Sequence, residues 1–418
     1  MILLVVAFFA LLFWGFYSLA WKRRRFDLPA LAFFCAAIYF LPGITGNVIL
    51  PLTAGGLWIE QPIIPQAYGV YVLVLGATLA AAHICDRMET GPEPEPWRKA
   101  DFEFLGHIAT IGAIVGFIWC VAQNGSELLL TKEEFLPKLS PGYKLWTDGA
   151  TFGAIIAFAG RRKILFAICV TLLVLDLYIG FRINAAMAVV CILFYQLHCK
   201  GHGRIFIEHF KLALIALPSV FILLLYKQVV AVIKLGRWDL LFKNISNPEN
   251  YRFAVFQSEP YVTQLVLHET LRQHFHTDPS HLFIAVSQII PFGTSLFGRV
   301  TTYDELFHHA LFSGYWSNLA NNFWAEMWSS GGWLLVLGAA LMFGFLLVVG
   351  ERCLRTSSGV LKIFWIYFWT YFAFYIHRND LVYQIYLQRR AFIYPALFAI
   401  VAIAIRKIRQ NLAETTVA

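Results

Sequence analysis

The chain has 418 residues, of which 59% are hydrophobic and only 14% are charged, and its mean hydropathy is +0.64. One water-soluble core cannot bury that much apolar surface, so the composition excludes a soluble globular protein and predicts lipid as the solvent. The formal net charge of +8 would suit nucleic acid, but the Lys and Arg residues stand in short clusters between apolar stretches, as orientation signals do. We therefore expect the lipid bilayer as a partner and exclude nucleic acid.

Hydropathy predicts an all-α polytopic membrane protein with eleven transmembrane helices. The first apolar stretch has no basic leader and no small-residue cleavage site, so we interpret it as a retained span and not as a removed signal peptide. The chain divides into spans one to eight in residues 1–235, a long polar segment in 236–331, and spans nine to eleven in 332–418. The predicted span cores are residues 2–20, 28–42, 67–85, 103–122, 145–160, 164–180, 184–199, 210–231, 332–350, 359–376 and 391–405.

The Lys and Arg residues predict which way the spans cross the membrane. More than half of the 33 lie in the loops that share one side with the C-terminus, and these loops hold less polar chain than the opposite ones. The positive-inside rule then puts the C-terminus in the cytoplasm and the 236–331 segment outside. The inner loops leave no room for a nucleotide-binding domain, and no Walker or Rossmann glycine pattern occurs in context, so we expect the energy to arrive with the substrate or from a gradient.

The polar segment holds six of the twelve histidines and three predicted helices. Residues 261–275 carry one apolar and one polar stripe at helical spacing. Residues 281–298 predict a helix that lies on the membrane or dips into it. Residues 302–312 predict another short helix.

Three residues are candidates for a general base. Glu326 lies between Trp324 and Trp328 at the mouth of span nine, where an ionisable side chain at membrane depth indicates function, although attraction to a helix N-terminus would also explain it. His308 and His309 could accept a proton from a sugar hydroxyl near neutral pH, or be ordinary surface histidines. Each follows a carboxylate at the i, i+4 spacing that could hold a divalent metal, but no third ligand of defined spacing exists, so we predict no metal site.

Arginines gather on the predicted outer side. Arg182 stands in a tight turn between spans six and seven, where a snorkelling lipid anchor is an equal alternative. Arg378 and Asp380, and then Arg389 and Arg390, flank the turn between the last two spans, and pairing of Arg378 with Asp380 or a lipid-headgroup contact would explain them without catalysis. The candidate substrate-binding residues are Arg182, Arg299, Arg378, Asp380, Arg389 and Arg390.

Such a set of arginines suits a diphosphate leaving group. Negative charge grows on that group as its bond to a sugar breaks, and forked guanidinium donors match phosphate oxygens bidentately. Donors already fixed where charge develops each lower a barrier by roughly 3 kcal/mol. Two or three arginines could therefore do the electrostatic work without a metal. Arg252 and Glu259, just before Pro260, are weaker candidates.

The plan of spans and several short motifs resemble the Wzy-type oligosaccharide repeat-unit polymerases of bacterial O-antigen, capsule and exopolysaccharide synthesis, which are related to O-antigen ligases. The similarity lies in the eleven spans, one large outer segment late in the chain, and the Gly180-Phe181-Arg182 turn. It also lies in the stretch from Asn322-Phe323-Trp324-Ala325-Glu326 to Gly331-Gly332, and in Arg378 with Asp380 near the end. As architecture, the resemblance covers most of the chain.

The resemblance implies a membrane glycosyltransferase of GT-C-like fold in the bacterial inner membrane, with its active site facing the periplasm. A hydroxyl of the incoming repeat unit would attack the anomeric carbon of the growing chain, and undecaprenyl diphosphate would leave. Glu326 or the pair His308/His309 would act as the base, with Arg182, Arg299 and Arg378 holding diphosphate and glycan. The undecaprenyl-diphosphate oligosaccharide is already activated, so no cofactor is expected. A Wzz-type chain-length regulator and a flippase are the implied protein partners.

Two other functions stay open. An O-antigen ligase, which moves the finished glycan to lipid A core, would share the fold and the donor. A non-enzymatic flippase or exporter of the same lipid-linked sugars would line a central path with charges on many spans. The predicted span interiors are nearly free of charge and polarity collects in the outer segment, which favours an enzyme.

Overall fold

The structure, a computed structural model, is nearly all helical in the residues that it describes. The predicted span 210–231 and the candidate Arg299 lie outside those residues. The described residues are 2–23, 25–51, 58–88, 99–125, 140–200, 236–239, 246, 255, 258–290, 296–298, 300–312 and 319–417.

The elements follow one another as helices with one short hairpin near the start. The first part contains α1 (Ile2–Gly15, continued by a π-helical turn Phe16–Lys22), α2 (Leu28–Tyr39), α3 (Leu41–Thr45), β1 (Asn47–Pro51), β2 (Trp58–Pro62), α4 (Pro65–Arg87), α5 (Lys99–Asn124), α6 (Pro141–Ala159), α7 (Lys163–Ile179) and α8 (Ile183–Lys200). The second part contains α9 (Glu259–Arg272), α10 (Ser280–Ser287), α11 (Tyr303–Leu311), α12 (Phe323–Thr356), α13 (Gly359–Tyr375) and α14 (Leu381–Val417).

Five of the described helices are long and apolar enough to cross a membrane. Large apolar side chains such as Leu3, Leu334 and Ile403 lie exposed on these helices, which is typical of a surface that faces lipid tails. The prediction of a helical membrane protein is therefore confirmed at this level, while the number of eleven spans stays a prediction. The five helices are Ile2–Lys22, Pro65–Arg87, Phe102–Asn124, Phe323–Thr356 and Leu381–Ile408, and two shorter apolar helices are Leu28–Tyr39 and Ile183–Cys199.

The fold is not purely helical, because the predicted loop before α4 contains a two-stranded antiparallel hairpin. Strands β1 and β2 pair along their whole length. The Ile63 N–H extends the ladder by donating to the Gly46 carbonyl oxygen at 2.9 Å, and Val48 is fully buried. Backbone polar groups next to an apolar layer must find partners, and pairing two short strands satisfies them.

The predicted second span is shorter than expected. Helix α2 has 12 residues, which at the helical rise makes it about 18 Å long, less than the thickness of a bilayer core, and α3 follows it after one residue. Asp27 caps its start by accepting from the Ala30 N–H at 3.0 Å. Nearly all of its side chains are buried, so α2 packs inside the bundle.

The last helix starts earlier than hydropathy predicts. Asp380 caps α14, its Oδ1 accepting from the Tyr383 N–H at 2.7 Å, so the helix begins ten residues before the predicted core 391–405. Arg389 and Arg390 consequently lie about 12–13 Å along the helix. The prediction that they flank the turn between the last two spans is wrong.

Helix α12 consists of two helical segments joined by a kink at Gly331–Gly332. Gly332 has φ 59° and ψ −150°, a region that glycine alone adopts readily. Asn322 caps the first segment by accepting from two backbone N–H groups at 2.9 and 3.1 Å. The predicted start of span nine coincides with the kink, and the buried segment ahead of it carries Glu326.

Helices α9, α10 and α11 cover one end of the helix bundle, called here the capped end. On α9, Gln264 and His268 belong to the predicted polar stripe, yet both are buried. The Tyr71 hydroxyl donates to Gln264 Oε1 at 2.9 Å, and the Ile64 N–H donates to His268 Nδ1 at 3.1 Å. Polar groups of α4 and of the residue before it thus engage one atom of each of these two side chains.

Candidate functional site

Glu326 and His281 meet in the interior of the capped end. The His281 Nε2 atom lies 3.2 Å from Glu326 Oε1. The Glu326 side chain is fully buried and that of His281 is 11% exposed. His281 lies in the first turn of α10 and Glu326 in the segment ahead of the α12 kink. An acid and a base from separate parts of the chain therefore share one hydrogen bond away from water.

The hydrogen bond of the other ring nitrogen of His281 indicates how many protons this pair holds. His281 Nδ1 lies 2.6 Å from the carbonyl oxygen of Asp278, which can only accept, so Nδ1 carries a proton. Nε2 faces a carboxylate oxygen, so one further proton lies between His281 and Glu326. Burial opposes the imidazolium, but the hydrogen bonds to Glu326 and Asp278 outweigh it and raise the pKa of His281.

Leu381 and Asp380 complete this cluster. The Leu381 N–H donates to Glu326 Oε2 at 2.7 Å. Asp380 accepts from the N–H groups of Tyr383 at 2.7 Å and Tyr303 at 2.9 Å. Burial, and then the charge of Glu326, raise the pKa of Asp380 to about 7 although both N–H bonds favour the carboxylate. Asp380 thereby joins α11 to α14 beside Glu326.

Arg182 and Arg378 come together at Glu259. Glu259 Oε2 lies 3.2 Å from Arg378 Nε, and Glu259 Oε1 lies 4.0 Å from Arg182 Nη2. The Arg378 guanidinium also lies 5.7 Å from the centre of the Tyr375 ring. The alternative in which Arg378 pairs with Asp380 is not the observed arrangement, because the Asp380 oxygens are engaged by backbone N–H groups.

An apolar groove of about 640 Å³ opens beside Glu326, between α10, α12, α13 and α14. Leu381, whose N–H holds Glu326, lines the groove together with Val286 of α10. The lining residue Met342 is more than half exposed, so the groove opens on the outer apolar surface of the bundle. A long hydrocarbon chain is the ligand that such a wall suits. The remaining lining is apolar apart from Gln384, Gln388 and Arg389.

Arg389 and Arg390 leave α14 in different directions. Arg389 lines the groove, and its Nη1 donates at 3.0 Å to the Gln288 carbonyl oxygen at the end of α10. Arg390 points into the bundle, where its Nε and Nη2 lie 2.9 and 2.8 Å from Asp148 Oδ2. Of the two predicted substrate-binding residues, Arg389 borders a candidate site and Arg390 forms an internal ion pair.

His308 and His309 lie toward the C-terminal end of α11. The first residue of that helix, Tyr303, is the one that binds Asp380, and His308 lies about 7.5 Å farther along the axis. His308 is half-buried and His309 is exposed. The imidazole bonded to Glu326 belongs to His281, so a role for the other two histidines as bases stays a prediction.

The expectation of nearly charge-free span interiors is wrong. Asp148, Asp176 and Glu351 are buried in apolar helices. Arg390 pairs with Asp148, and Arg355 Nε lies 2.7 Å from Glu351. A hydropathy window averages over many residues, so a single carboxylate with a partner on another helix leaves the average apolar.

No protein-family model, curated protein or solved structure matches this chain. The resemblance to Wzy-type polymerases therefore rests on the plan of spans and the short motifs of the sequence. The chemistry of the site follows from its geometry alone.

The sequence does not single out His281, and it offers Glu259 only as a weaker candidate. Both residues stand in the first turn of a helix close to a proline, which is an ordinary composition for a helix start. The partner of His281 is 45 residues away in the chain. Their proximity depends on how α9 and α10 pack on the bundle, and no local pattern reports it.

Proposed function

We propose that this protein polymerises undecaprenyl-diphosphate-linked oligosaccharide repeat units by block glycosyl transfer at the periplasmic face of the bacterial inner membrane. The observation that carries the proposal is the buried His281–Glu326 pair, with one proton between its members, at the end of a groove that suits a lipid chain. Acid–base catalysis needs a positioned proton acceptor, and a polyprenyl donor needs an apolar wall. Both requirements meet at Leu381.

The groove supports a lipid-linked donor over a soluble sugar nucleotide. It extends along α14 from Leu381 to Ile393, about 18 Å at the helical rise. Phe343, Phe372 and Phe392 lie along it. Because it opens sideways on the apolar surface of the bundle, a polyprenyl tail would enter from the bilayer without crossing water.

The acid–base pair supports transfer to a hydroxyl. In the proposed step a hydroxyl oxygen of the incoming repeat unit bonds to the anomeric carbon of the growing chain. The bond from that carbon to the diphosphate breaks, its electron pair goes to the diphosphate oxygen, and the hydroxyl proton passes to Glu326. One hydrogen bond reaches each Glu326 oxygen, from His281 and from Leu381, so each oxygen keeps a lone pair, and the side chains that bury Glu326 must move for a hydroxyl to reach it. His281 orients the carboxylate.

The arginine pair supports a diphosphate leaving group. Arg378 lies three residues before Leu381, so it stands at the same end of the bundle as Glu326, and Arg182 joins it through Glu259. Guanidinium groups placed where negative charge develops stabilise the transition state more than the bound donor. Arg299 belongs to the same proposal and lies outside the described residues.

The proposal includes the finer architecture, with eleven spans, a GT-C-like arrangement and a periplasmic 236–331 segment. The helices of the capped end, α9 to α11, all come from that segment. A periplasmic donor can reach them only if the segment is periplasmic. A cysteine introduced at the exposed His309 should therefore react in intact cells with a reagent that does not cross the inner membrane, and protection from it would contradict the proposal.

Deleting the gene and separating the surface polysaccharide by gel electrophoresis tests the function. A polymerase deletion leaves lipid A core capped with a single repeat unit. A ligase deletion leaves uncapped core with polymer still on undecaprenyl, and a flippase deletion leaves repeat units on the cytoplasmic side. The first pattern supports the proposal, and either of the others overturns it.

A flippase is the second candidate, because charged residues inside the bundle are one feature of a polar path. Asp148 is buried on α6 with Arg390 of α14, and Asp176 is buried on α7. The partners of these carboxylates are side chains of the protein, with Tyr143 donating to Asp176 at 2.6 Å. Such paired groups favour a structural role, and the enzyme is the better-supported function.

A further inference from the structure

We infer that Glu259 is a displaceable counter-ion that occupies an anion site between Arg182 and Arg378, and that a phosphate group of the substrate replaces it there. The identity of the natural anion, a polyprenyl diphosphate, rests on the proposed function. The site itself rests on the geometry of three side chains.

The Glu259 carboxylate already shows how the site binds an anion. One oxygen lies 3.2 Å from Arg378 and the other 4.0 Å from Arg182, so a single anionic group faces both guanidinium groups. The two arginines and one carboxylate together carry a net charge of +1. A diphosphate offers more oxygens and more negative charge than a carboxylate, and guanidinium forks match phosphate oxygens well.

Glu259 is placed so that its displacement costs little. Its side chain is 34% exposed, compared with 1% for Glu269 on the same helix, whose oxygens accept three hydrogen bonds from Arg272 and one from Gln273. Glu259 is also the first residue of α9, where the positive end of the helix favours a carboxylate in any orientation. It can therefore leave the arginines and remain stabilised.

The arginines keep their positions through contacts that do not involve Glu259. Arg378 lies over the Tyr375 ring, and its backbone N–H donates to the Tyr375 carbonyl oxygen at 3.0 Å. Arg182 stands between α7 and α8 in a turn that begins with Gly180 at φ 114°, and its carbonyl oxygen accepts from the Ala186 N–H at 2.9 Å. The backbone of both arginines and the guanidinium of Arg378 thus have contacts other than Glu259.

A displaceable carboxylate affects both the binding of the donor and the release of the diphosphate product. Glu259 must leave when the donor binds, and its return competes with the diphosphate product for the same two arginines. Removing its charge is expected to tighten the binding of substrate and product together, because both carry the group that competes with it.

Pyrophosphate binding tests this inference directly. The full-length protein in lipid nanodiscs is titrated with inorganic pyrophosphate by calorimetry, as wild type and as Glu259→Gln. We expect the variant to bind about ten-fold more tightly, which corresponds to about 1.4 kcal/mol. Glu259→Asp keeps the charge but withdraws it by one methylene, and should tighten binding by a smaller factor.

Two control variants separate the site from a general charge effect. Glu60→Gln removes one carboxylate from the exposed side of β2 and should leave pyrophosphate affinity unchanged. Adding Arg378→Gln to Glu259→Gln should return the affinity to the wild-type value or below. Equal or weaker binding by both Glu259 variants would mean that Glu259 is a fixed anchor of α9, and would overturn the inference. So would an equal gain in Glu60→Gln.

The pyrophosphate titration tests the anion site separately from the proposed polymerase reaction. Tighter pyrophosphate binding without any polymerase phenotype in the gene deletion would keep the anion site and remove the proposed function. A polymerase phenotype with unchanged pyrophosphate binding would do the reverse.

Discussion

Two buried carboxylates, Asp148 and Glu326, are held by different kinds of donor. Asp148 accepts from Arg390 through two nitrogens at 2.9 and 2.8 Å, and the Tyr367 hydroxyl lies 3.5 Å from its other oxygen. Glu326 faces the imidazole of His281 at 3.2 Å. A guanidinium keeps its protons at any accessible pH, whereas an imidazole exchanges one near neutrality.

The comparison teaches that burial of charge alone does not identify a reactive group. The Asp148–Arg390 pair neutralises two charges inside the bundle and has no proton to move. The Glu326–His281 pair shares a hydrogen bond with an imidazole, which can release a proton, and it borders a groove through Leu381. We therefore expect Glu326 to take part in the reaction and Asp148 to stabilise the fold.

The largest expected effect is the loss of polymer in Glu326→Gln. The amide has the shape of the carboxylate, can accept from the Leu381 N–H and donate to His281 Nε2, but cannot take up a proton. We expect transfer to fall by a factor of about 10²–10⁴ with a normal amount of protein in the membrane. Complementation of the deletion strain, read on a polysaccharide gel with an immunoblot of membranes, measures both. Full-length polymer from this variant would contradict the role of Glu326 as base.

The matched change at the other carboxylate is Arg390→Met, which should act on the fold. An unpaired buried Asp148 costs about 3–5 kcal/mol, so less protein should accumulate and its melting midpoint should fall. Arg390→Met combined with Asp148→Leu should recover part of that loss. If Arg390→Met accumulates normally but makes no polymer, Arg390 belongs to the site and the contrast with Glu326 fails.

Narrowing the groove should weaken the binding of the donor without destabilising the fold. Ala339 lines the groove, and Ala339→Trp would fill part of it. We expect the KM for a long polyprenyl donor to rise about ten-fold, corresponding to about 1.4 kcal/mol, with little change for a short-chain donor. Leu337→Trp, on the exposed side of the same helix, is the control. Equal effects of the two variants on the long donor would show that the groove does not hold the tail.

The smallest expected effect is a pH dependence of stability that runs through His281. Its pKa is raised in the folded protein, so its contribution is fully present below the unfolded value of about 6.5 and is lost as pH rises through the folded value. Asp380, with a pKa of about 7, acts in the same direction, because the folded state retains its proton longer than the unfolded chain.

The melting temperature of the wild-type protein in detergent should therefore decrease as the pH is raised from 5.5 to 8.5. His281→Gln should remove part of that fall, about 2 °C for each kcal/mol of coupling. Arg390→Met combined with Asp148→Leu should leave the slope unchanged, since that pair contains no imidazole and the double variant leaves no unpaired carboxylate to titrate. Parallel curves for wild type and His281→Gln would contradict a shared proton.

Several parts of the site could be predicted because their signals are local. Glu326 stands out as a carboxylate between tryptophans at the mouth of an apolar stretch. Arg182 is marked by its tight turn, whose Gly180 has a positive φ. Asp380 could have been recognised as a helix cap, which would have corrected the start of α14.

Other parts could not be predicted because their signals are spread over distant elements. His281 is one of six histidines in the polar segment, and its sequence neighbours do not distinguish it from His308 or His309. Glu259 is only a weaker candidate in the sequence, because a glutamate at the start of a helix is ordinary and both of its arginine partners come from other loops. Hydropathy predicts that Arg390 lies just before the last span, whereas the capping of α14 at Asp380 places it within that helix.

The amino-acid sequence alone predicts a helical membrane protein with a carboxylate at the mouth of an apolar stretch. Hydropathy, backbone freedom and capping act over a few neighbouring residues, so the chain reports them directly. The partner of each charge follows from the packing of distant helices: His281 for Glu326, Arg390 for Asp148, and Glu259 for two arginines. Those choices depend on which helix ends meet when the apolar faces pack, because a buried charge pairs with whatever packing brings within reach.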